Sequence, residues 1–333
     1  MIARLAVDAA RAAGRQDRYR QQVAQRAEQL RQQVAVRTEP AIVRQREPID
    51  GNQVLRWYYA YLEKMAVWDS EHEIVTAALF AAATHARWKD GTPVWDYCPR
   101  LGIFGPSGSG KSWKARLIGK LCYKPEILIE PTKPAFIDLC ADKHTVILTE
   151  ADEAFRSPGR SRGILAVVNG SYQPDVSASK VRGGQAIRIP LFTFVVLDGI
   201  DTLLSANRPD LKAMISRCLI VRSRAQAGYR PPRFDAKARA IAEGLARVTG
   251  AWMAQEADDG IADDVPELPE HVGNRGWSLW QPLAAVALRA DKGDPEGPWS
   301  AACRVACEHL EAAAAGDQDD MSELDRQMSE WGV

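Results

Sequence analysis

The run Gly105-Pro106-Ser107-Gly108-Ser109-Gly110-Lys111-Ser112 constrains this chain more than any other feature. It follows the apolar segment LGIF directly and opens KSWKARLIGKL, so it joins an expected strand to an expected helix. In a G-x-x-x-x-G-K-S loop the glycines let the backbone curl until successive N–H groups point inward, and the helix start adds partial positive charge. Such a cradle suits a polyphosphate. All eight residues from Gly105 to Ser112 are therefore candidate nucleotide contacts. Lys111 is expected to meet the β- and γ-phosphates of ATP, and the Ser112 hydroxyl to ligate Mg²⁺.

From residue 100 onward short apolar runs alternate with helical patterns, which predicts βαβ units and an α/β fold with a parallel sheet flanked by helices. Strands are expected at 101–104, 127–129, 145–148, 191–197 and 218–221, and helices at about 111–122, 133–141, 161–169 and 209–216. At 333 residues the chain is long enough for two domains. Residues 1–50, rich in Ala, Arg and Gln, predict an exposed helical arm, with Val23, Leu30 and Val34 too sparse for a sustained coiled coil. Residues 51–99 predict an N-terminal helical region. It holds an aromatic helix whose Trp and Tyr stripe belongs to a core, and a second helix opened by a Ser70–Glu73 capping box. The ATPase core is expected over 100–232, a helical lid or accessory domain over 233–315, and an acidic mobile tail over 316–333.

The total charge is zero, with 43 basic and 43 acidic residues, but it is unevenly spread. Residues 1–50 carry a net +4, residues 254–333 a net −13, and the span between them +9. A basic middle beside an acidic end fits a core that handles a polyanion. No run of 18 apolar residues exists, which excludes a membrane-spanning helix by composition. The start lacks an apolar h-region followed by a cleavage site, which predicts no secretion. The six Cys form no C-x-x-C pair and no His spacing completes a zinc site, so a reduced, cytoplasmic protein is expected. Cys303 and Cys307, at i,i+4, read as an apolar stripe of a helix.

ATP hydrolysis also needs a strand that ends in acid beside the loop. The candidate is Thr145-Val-Ile-Leu-Thr149-Glu150-Ala-Asp152-Glu153. In one register Thr149 stands on the metal side and Glu150 activates water. In the other, Glu150 meets the metal and Asp152 or Glu153 the water. Asp198, ending LFTFVVLD, either orients the attacking water beside the nucleotide or forms a turn ahead of Gly199. VSASKVRGGQAIRIP predicts a β-hairpin with a Gly183-Gly184 turn, decorated by Lys180, Arg182 and Arg188. These three are candidate nucleic-acid contacts or, equally in keeping with an exposed hairpin, solubility and edge-protecting charges. Arg217, between a helix and a buried strand, is a candidate arginine finger. Arg275 opens a helix and is either a phosphate contact from the lid or a surface residue.

Taken together these pieces resemble a family of phage and actinobacterial helicase-like P-loop ATPases, found with primase modules. The resemblance spans about residues 68–312 and rests on WDSEHEIVTAALFAAATHAR, the phosphate loop, TVILTEADE, NGSYQPDVSASKVRGGQ, RPDLKAMISRCLIVR and VPELPEHVGNRGWSLWQPLAAVA. It implies an additional-strand (ASCE, AAA+-like) P-loop NTPase fold and a link to mobile-element DNA. Where the family carries an Asp-Glu pair, this chain has Thr149-Glu150. The combined expectation is a DNA-stimulated, ring-forming ATPase motor on single-stranded DNA, with a non-motor ATP switch acting on a partner protein as the alternative.

Overall fold

The computed structural model describes residues 48–156, 158–204, 208–226 and 228–330. The arm expected over 1–50 therefore lies almost wholly outside the described residues, as does Trp331. The elements run, in chain order, α1 (Gly51–Met65), α2 (Glu71–Ala83), β1 (Arg100–Phe104), α3 (Lys111–Gly119), β2 (Pro125–Ile129), α4 (Lys133–Ala141) and β3 (Thr145–Thr149). They continue with α5 (Ala151–Phe155), α6 (Pro158–Gly170), β4 (Ser177–Arg182), β5 (Gln185–Pro190), β6 (Val195–Gly199), α7 (Pro209–Ile215) and β7 (Cys218–Arg222). Helices α8 (Ala236–Asp258), α9 (Asn274–Ala290) and α10 (Pro298–Glu330) complete the chain.

Five strands form one parallel sheet in the order β2-β3-β6-β1-β7, so the fold is α/β with helices on both faces. The pleat divides each apolar strand between two cores. Leu101, Ile103, Ile147, Val196, Leu219 and Val221 face one helical layer. Phe104, Val146, Leu148, Val195, Leu197 and Cys218 face α4 to α7 and the hairpin. One strand, β6, separates β1 from β3. That insertion decides which side chains reach the loop after β1.

The first layer joins both ends of the described chain. Helix α2 is buried along every residue from Glu73 to Ala83, and its alanines let α1, α9 and α10 approach closely. Helices α8 to α10, expected as a lid, share this apolar core with α1, α2 and α3. The aromatic stripe of α1 splits: Tyr58 and Tyr61 are buried, with the Tyr58 hydroxyl donating to the Leu121 carbonyl at 3.0 Å, while Trp57 is exposed. Cys303 and Cys307 lie in the core, and all six cysteines are free and buried. Among the described residues no helix is long and apolar enough to cross a membrane.

Two local expectations need correction. The Ser70 side chain makes no capping hydrogen bond, and Glu73 accepts from the Asp69 N–H (3.1 Å) and the Arg222 N–H (2.7 Å) rather than closing a capping box. A tertiary bond to the end of β7 has outcompeted the local one. The strand expected at 191–197 is β6, Val195–Gly199: Leu191 and Thr193 donate to the Val176 and Ser171 carbonyls, so the ladder begins later and carries Asp198 within it. Within the acidic tail, helix α10 continues to Glu330, and residues 331–333 lie outside the described residues.

One buried histidine gives this layer a pH dependence. His85 Nε2 lies 2.8 Å from the Leu121 carbonyl, and burial, reinforced by the Arg87 charge, pulls its pKa down to about 4. The unfolded ring titrates near 6.5, so between these values the unfolded chain binds more protons and folding weakens as pH falls. His85 should therefore cost up to about 3 kcal/mol of stability between pH 6.5 and 4. Urea midpoints of wild type and His85→Gln should converge across that window; parallel curves would contradict the assignment.

Candidate phosphate-binding site

The loop sits at the carboxyl end of the sheet, between β1 and α3. Gly108 (φ +77°) and Gly110 (φ +86°) take left-handed conformations that suit glycine, and Gly110 caps α3. At Gly105 the need is space: an added Cβ would lie 2.0 Å from the Ser223 carbonyl oxygen. Ser223, one residue past β7, braces the loop from below. Its N–H donates to the Phe104 carbonyl at 2.7 Å and its hydroxyl to the Ser109 carbonyl at 2.8 Å. No sequence motif marked Ser223; only its position after the strand beside β1 gives it this role. Pro106, Ser107, Gly108 and Gly110 are exposed along the loop, whereas Ser109 is buried. The Lys111 ammonium donates to the Pro106 carbonyl at 3.3 Å, lying across the loop that its helix follows.

Behind the loop lies a second polar pair that the sequence reading missed. Lys114, buried on α3, donates to the Arg222 carbonyl at 3.1 Å and lies over the Trp68 ring, with its ammonium 5.0 Å from the ring centroid. Burial raises the pKa of Glu73 while the Lys114 charge opposes that shift, and burial lowers Lys114 while Glu73 opposes it. This pair ties α2, α3 and the end of β7 together around the loop.

Asp198 is the acid that reaches the loop. It is fully buried on β6, opposite Ile103 in the ladder. Its Oδ1 accepts from the Ser112 hydroxyl at 3.1 Å and from the Glu150 N–H at 3.2 Å. Its Oδ2 is buried without a hydrogen-bond partner. Burial pushes the Asp198 carboxyl above its ordinary pKa, against the two hydrogen bonds and the Lys111 charge. Asp198 is thus a ladder residue bonded to Ser112, not a turn former.

Thr149 does not share this position. Its hydroxyl donates to the Leu128 carbonyl of β2 at 3.1 Å, on the far side of β3 from β6. The Thr149 hydroxyl, expected on the metal side, is thus bonded to the neighbouring ladder. Glu150 follows in a left-handed conformation (φ 58°, ψ 45°), which is costly for a residue with a Cβ, and its side chain is exposed. The turn directs the chain from β3 into α5. Asp152 is half-buried, and its Oδ1 accepts from the Ile200 N–H at 3.3 Å, just beyond β6. Asp152 is held by backbone while Glu150 is free to meet solvent, which favours Glu150 over Asp152 as a water-activating carboxylate.

The basic hairpin forms as expected, with Gly183 and Gly184 both at positive φ in a two-residue turn. Lys180 and Arg188 lie on opposite faces of it. Lys180 faces α4, where its ammonium binds both Asp138 oxygens (2.5 and 2.6 Å). Arg188 pairs with Ser179 on the opposite, exposed face, and Arg182 pairs with Gln185 beside the turn. Lys180 thus ties the hairpin to α4, a contact that alternation alone did not reveal.

Arg217 lies at the other end of the sheet. Its carbonyl accepts from the Arg100 N–H at the start of β1, so about five residues of strand, roughly 15 Å, separate it from the loop of its own chain. Its Nη1 donates to the Ala213 carbonyl at 2.6 Å, and the guanidinium lies 5.6 Å from the Tyr172 ring centroid. Burial and the nearby Arg275 depress its pKa. Arg275 is exposed and donates to the Ser216 hydroxyl at 2.6 Å, so it faces Arg217 rather than the phosphate loop. Among the described residues Arg217 has no carboxylate partner.

No protein-family model matches the chain, and a search of curated proteins returns no match. What is in hand is an α/β protein with a parallel five-stranded sheet and a glycine-rich loop at its carboxyl end.

Proposed function

We propose that this protein is an ATPase of the additional-strand P-loop class that works as a ring on DNA. The observation that carries the nucleotide reading is the glycine-rich loop closed by Lys111 and Ser112, with the Ser112 hydroxyl held by buried Asp198. The class reading draws support from the strand order, in which β6 lies between the loop strand β1 and the acid-ended strand β3.

Lys111 would exchange the Pro106 carbonyl for phosphate oxygens. Backbone N–H groups of residues 108–112 and the start of α3 would hold the rest of the polyphosphate. Glu150, exposed at the end of β3, would accept the proton of the attacking water. Mg²⁺ fits the donor set, because Ser112 offers a hard oxygen beside a buried carboxylate, and the ion needs few protein ligands when phosphates and water supply the rest. When bound, it would neutralise charge on the β- and γ-phosphates. No cluster of three or more His, Cys, Asp or Glu fit for a metal occurs among the described residues, in keeping with so sparse a shell.

Support for the ring comes from Arg217. It lies in the turn between α7 and the edge strand β7, far from its own loop, with no carboxylate partner among the described residues. A cation so placed suits the nucleotide of a neighbouring copy. For the DNA contact, exposed Arg188 and the projecting Gly183-Gly184 turn remain as features, with Arg182 beside that turn. The Lys180–Asp138 pair favours a second reading, a non-motor switch, since it fastens the hairpin to α4. Turnover measured with and without single-stranded DNA separates the two. The motor reading predicts stimulation that fades with salt, as phosphate contacts do; unchanged turnover would leave the switch.

A further inference from the structure

On β3 an uncharged residue, Thr149, precedes Glu150. We infer that Asp198, on the inserted strand β6, supplies the metal-side carboxylate of the phosphate loop in place of Thr149. The inference rests on the nucleotide reading of that loop and adds the source of its acid.

The first argument is hydrogen-bond bookkeeping at Ser112. A serine hydroxyl has one proton and two lone pairs. Ser112 gives its proton to Asp198 Oδ1, so its lone pairs are left for an electron-poor partner. Thr149 commits its proton to the Leu128 carbonyl across the β2 ladder, on the side of β3 remote from β6. That bond holds the Thr149 hydroxyl toward β2, and an uncharged hydroxyl offers a cation no balancing charge.

The second argument is electrostatic. Asp198 is fully buried, and of its two oxygens only Oδ1 has hydrogen-bond donors. Oδ2 is an orphaned acceptor in a place water does not reach. A buried carboxylate with a vacant oxygen is costly unless a cation or donor meets it. Lys111 contributes a favourable charge, yet its ammonium is bonded to the Pro106 carbonyl and not to Asp198. A hard divalent cation at Ser112 would complete what the protein leaves open.

Topology explains why the acid can move to another strand. With β6 directly beside β1, a residue near the carboxyl end of β6 is closer in the sheet to Ser112 than one at the end of β3, which is two strands away. Asp198 also receives the Glu150 N–H, so a single carboxylate fixes the Ser112 hydroxyl and the backbone that presents Glu150.

The test titrates Mn²⁺ into the full chain saturated with a non-hydrolysable ATP analogue and follows free Mn²⁺ by electron paramagnetic resonance. Analogue affinity without metal is measured separately. Asp198→Asn keeps the shape and an acceptor oxygen but removes the charge. It should weaken the protein's hold on Mn²⁺ by roughly 10- to 100-fold and leave metal-free analogue binding intact. Thr149→Val, which keeps the strand shape, should leave Mn²⁺ affinity unchanged, and this arm holds even if Asp198→Asn fails to fold. Loss of Mn²⁺ affinity in Thr149→Val, or its retention in folded Asp198→Asn, would overturn the inference while the nucleotide reading stands. Failure of wild type to bind the analogue at all would instead overturn the nucleotide reading, and the inference with it.

Discussion

Lys111→Ala is expected to abolish ATP turnover, by roughly 10²- to 10³-fold or more, while the protein melts where wild type does. Both halves follow from the same geometry. The ammonium makes one hydrogen bond, to the Pro106 carbonyl within its own loop, and supports no other element. The loop is braced instead by Ser223 and by the Glu73 and Lys114 contacts behind it. Removing Lys111 is therefore expected to leave the scaffold intact and to take away the cation proposed to meet the phosphates. Glu150→Gln makes the companion measurement, because it removes the base and leaves the cradle. That variant should bind ATP and hold it unhydrolysed, whereas Lys111→Ala should bind it weakly. Turnover near the wild-type rate in Lys111→Ala would move the catalytic site elsewhere.

Arg217→Ala should bind ATP normally and hydrolyse it about 10³- to 10⁵-fold more slowly, the range for loss of an arginine finger. Arg suits that task because its guanidinium stays charged and offers planar paired donors. Here one Nη1 donor is taken by the Ala213 carbonyl, and Tyr172 supports the guanidinium from the side. The sheet separates it from its own loop, so it can act only across an interface between copies. Mixing inactive Arg217→Ala with inactive Lys111→Ala should then restore part of the turnover, since some interfaces pair an intact loop with an intact finger. A mixture that forms mixed rings and stays inactive would remove the shared site.

How much of this was legible in the sequence depends on the range of the interactions. The glycine-rich loop was legible as a strand–loop–helix junction because its requirements are local: Gly108 and Gly110 adopt positive φ, and the adjacent strand and helix are contiguous. The hairpin was legible because Gly183-Gly184 fixes its own turn. The place of Asp198 was not, since Asp198 and Ser112 are 86 residues apart and meet only because β6 inserts between β1 and β3. Nor was the partner of Thr149, whose hydroxyl bonds the Leu128 carbonyl of the neighbouring strand. Lys180 and Asp138, 42 residues apart, likewise pair through tertiary packing that no alternation pattern encodes. Ser70 and Glu73 show a local signature overridden by a bond to Arg222.

The central claim is that the loop from Gly105 to Ser112 holds a nucleoside triphosphate, and calorimetric titration of the full chain with ATP and Mg²⁺ tests it most directly. The account predicts one saturable site per chain, weakened when the metal is chelated and lost or greatly weakened in Lys111→Ala. Absence of binding at millimolar ATP, or equal binding by wild type and Lys111→Ala, would contradict it.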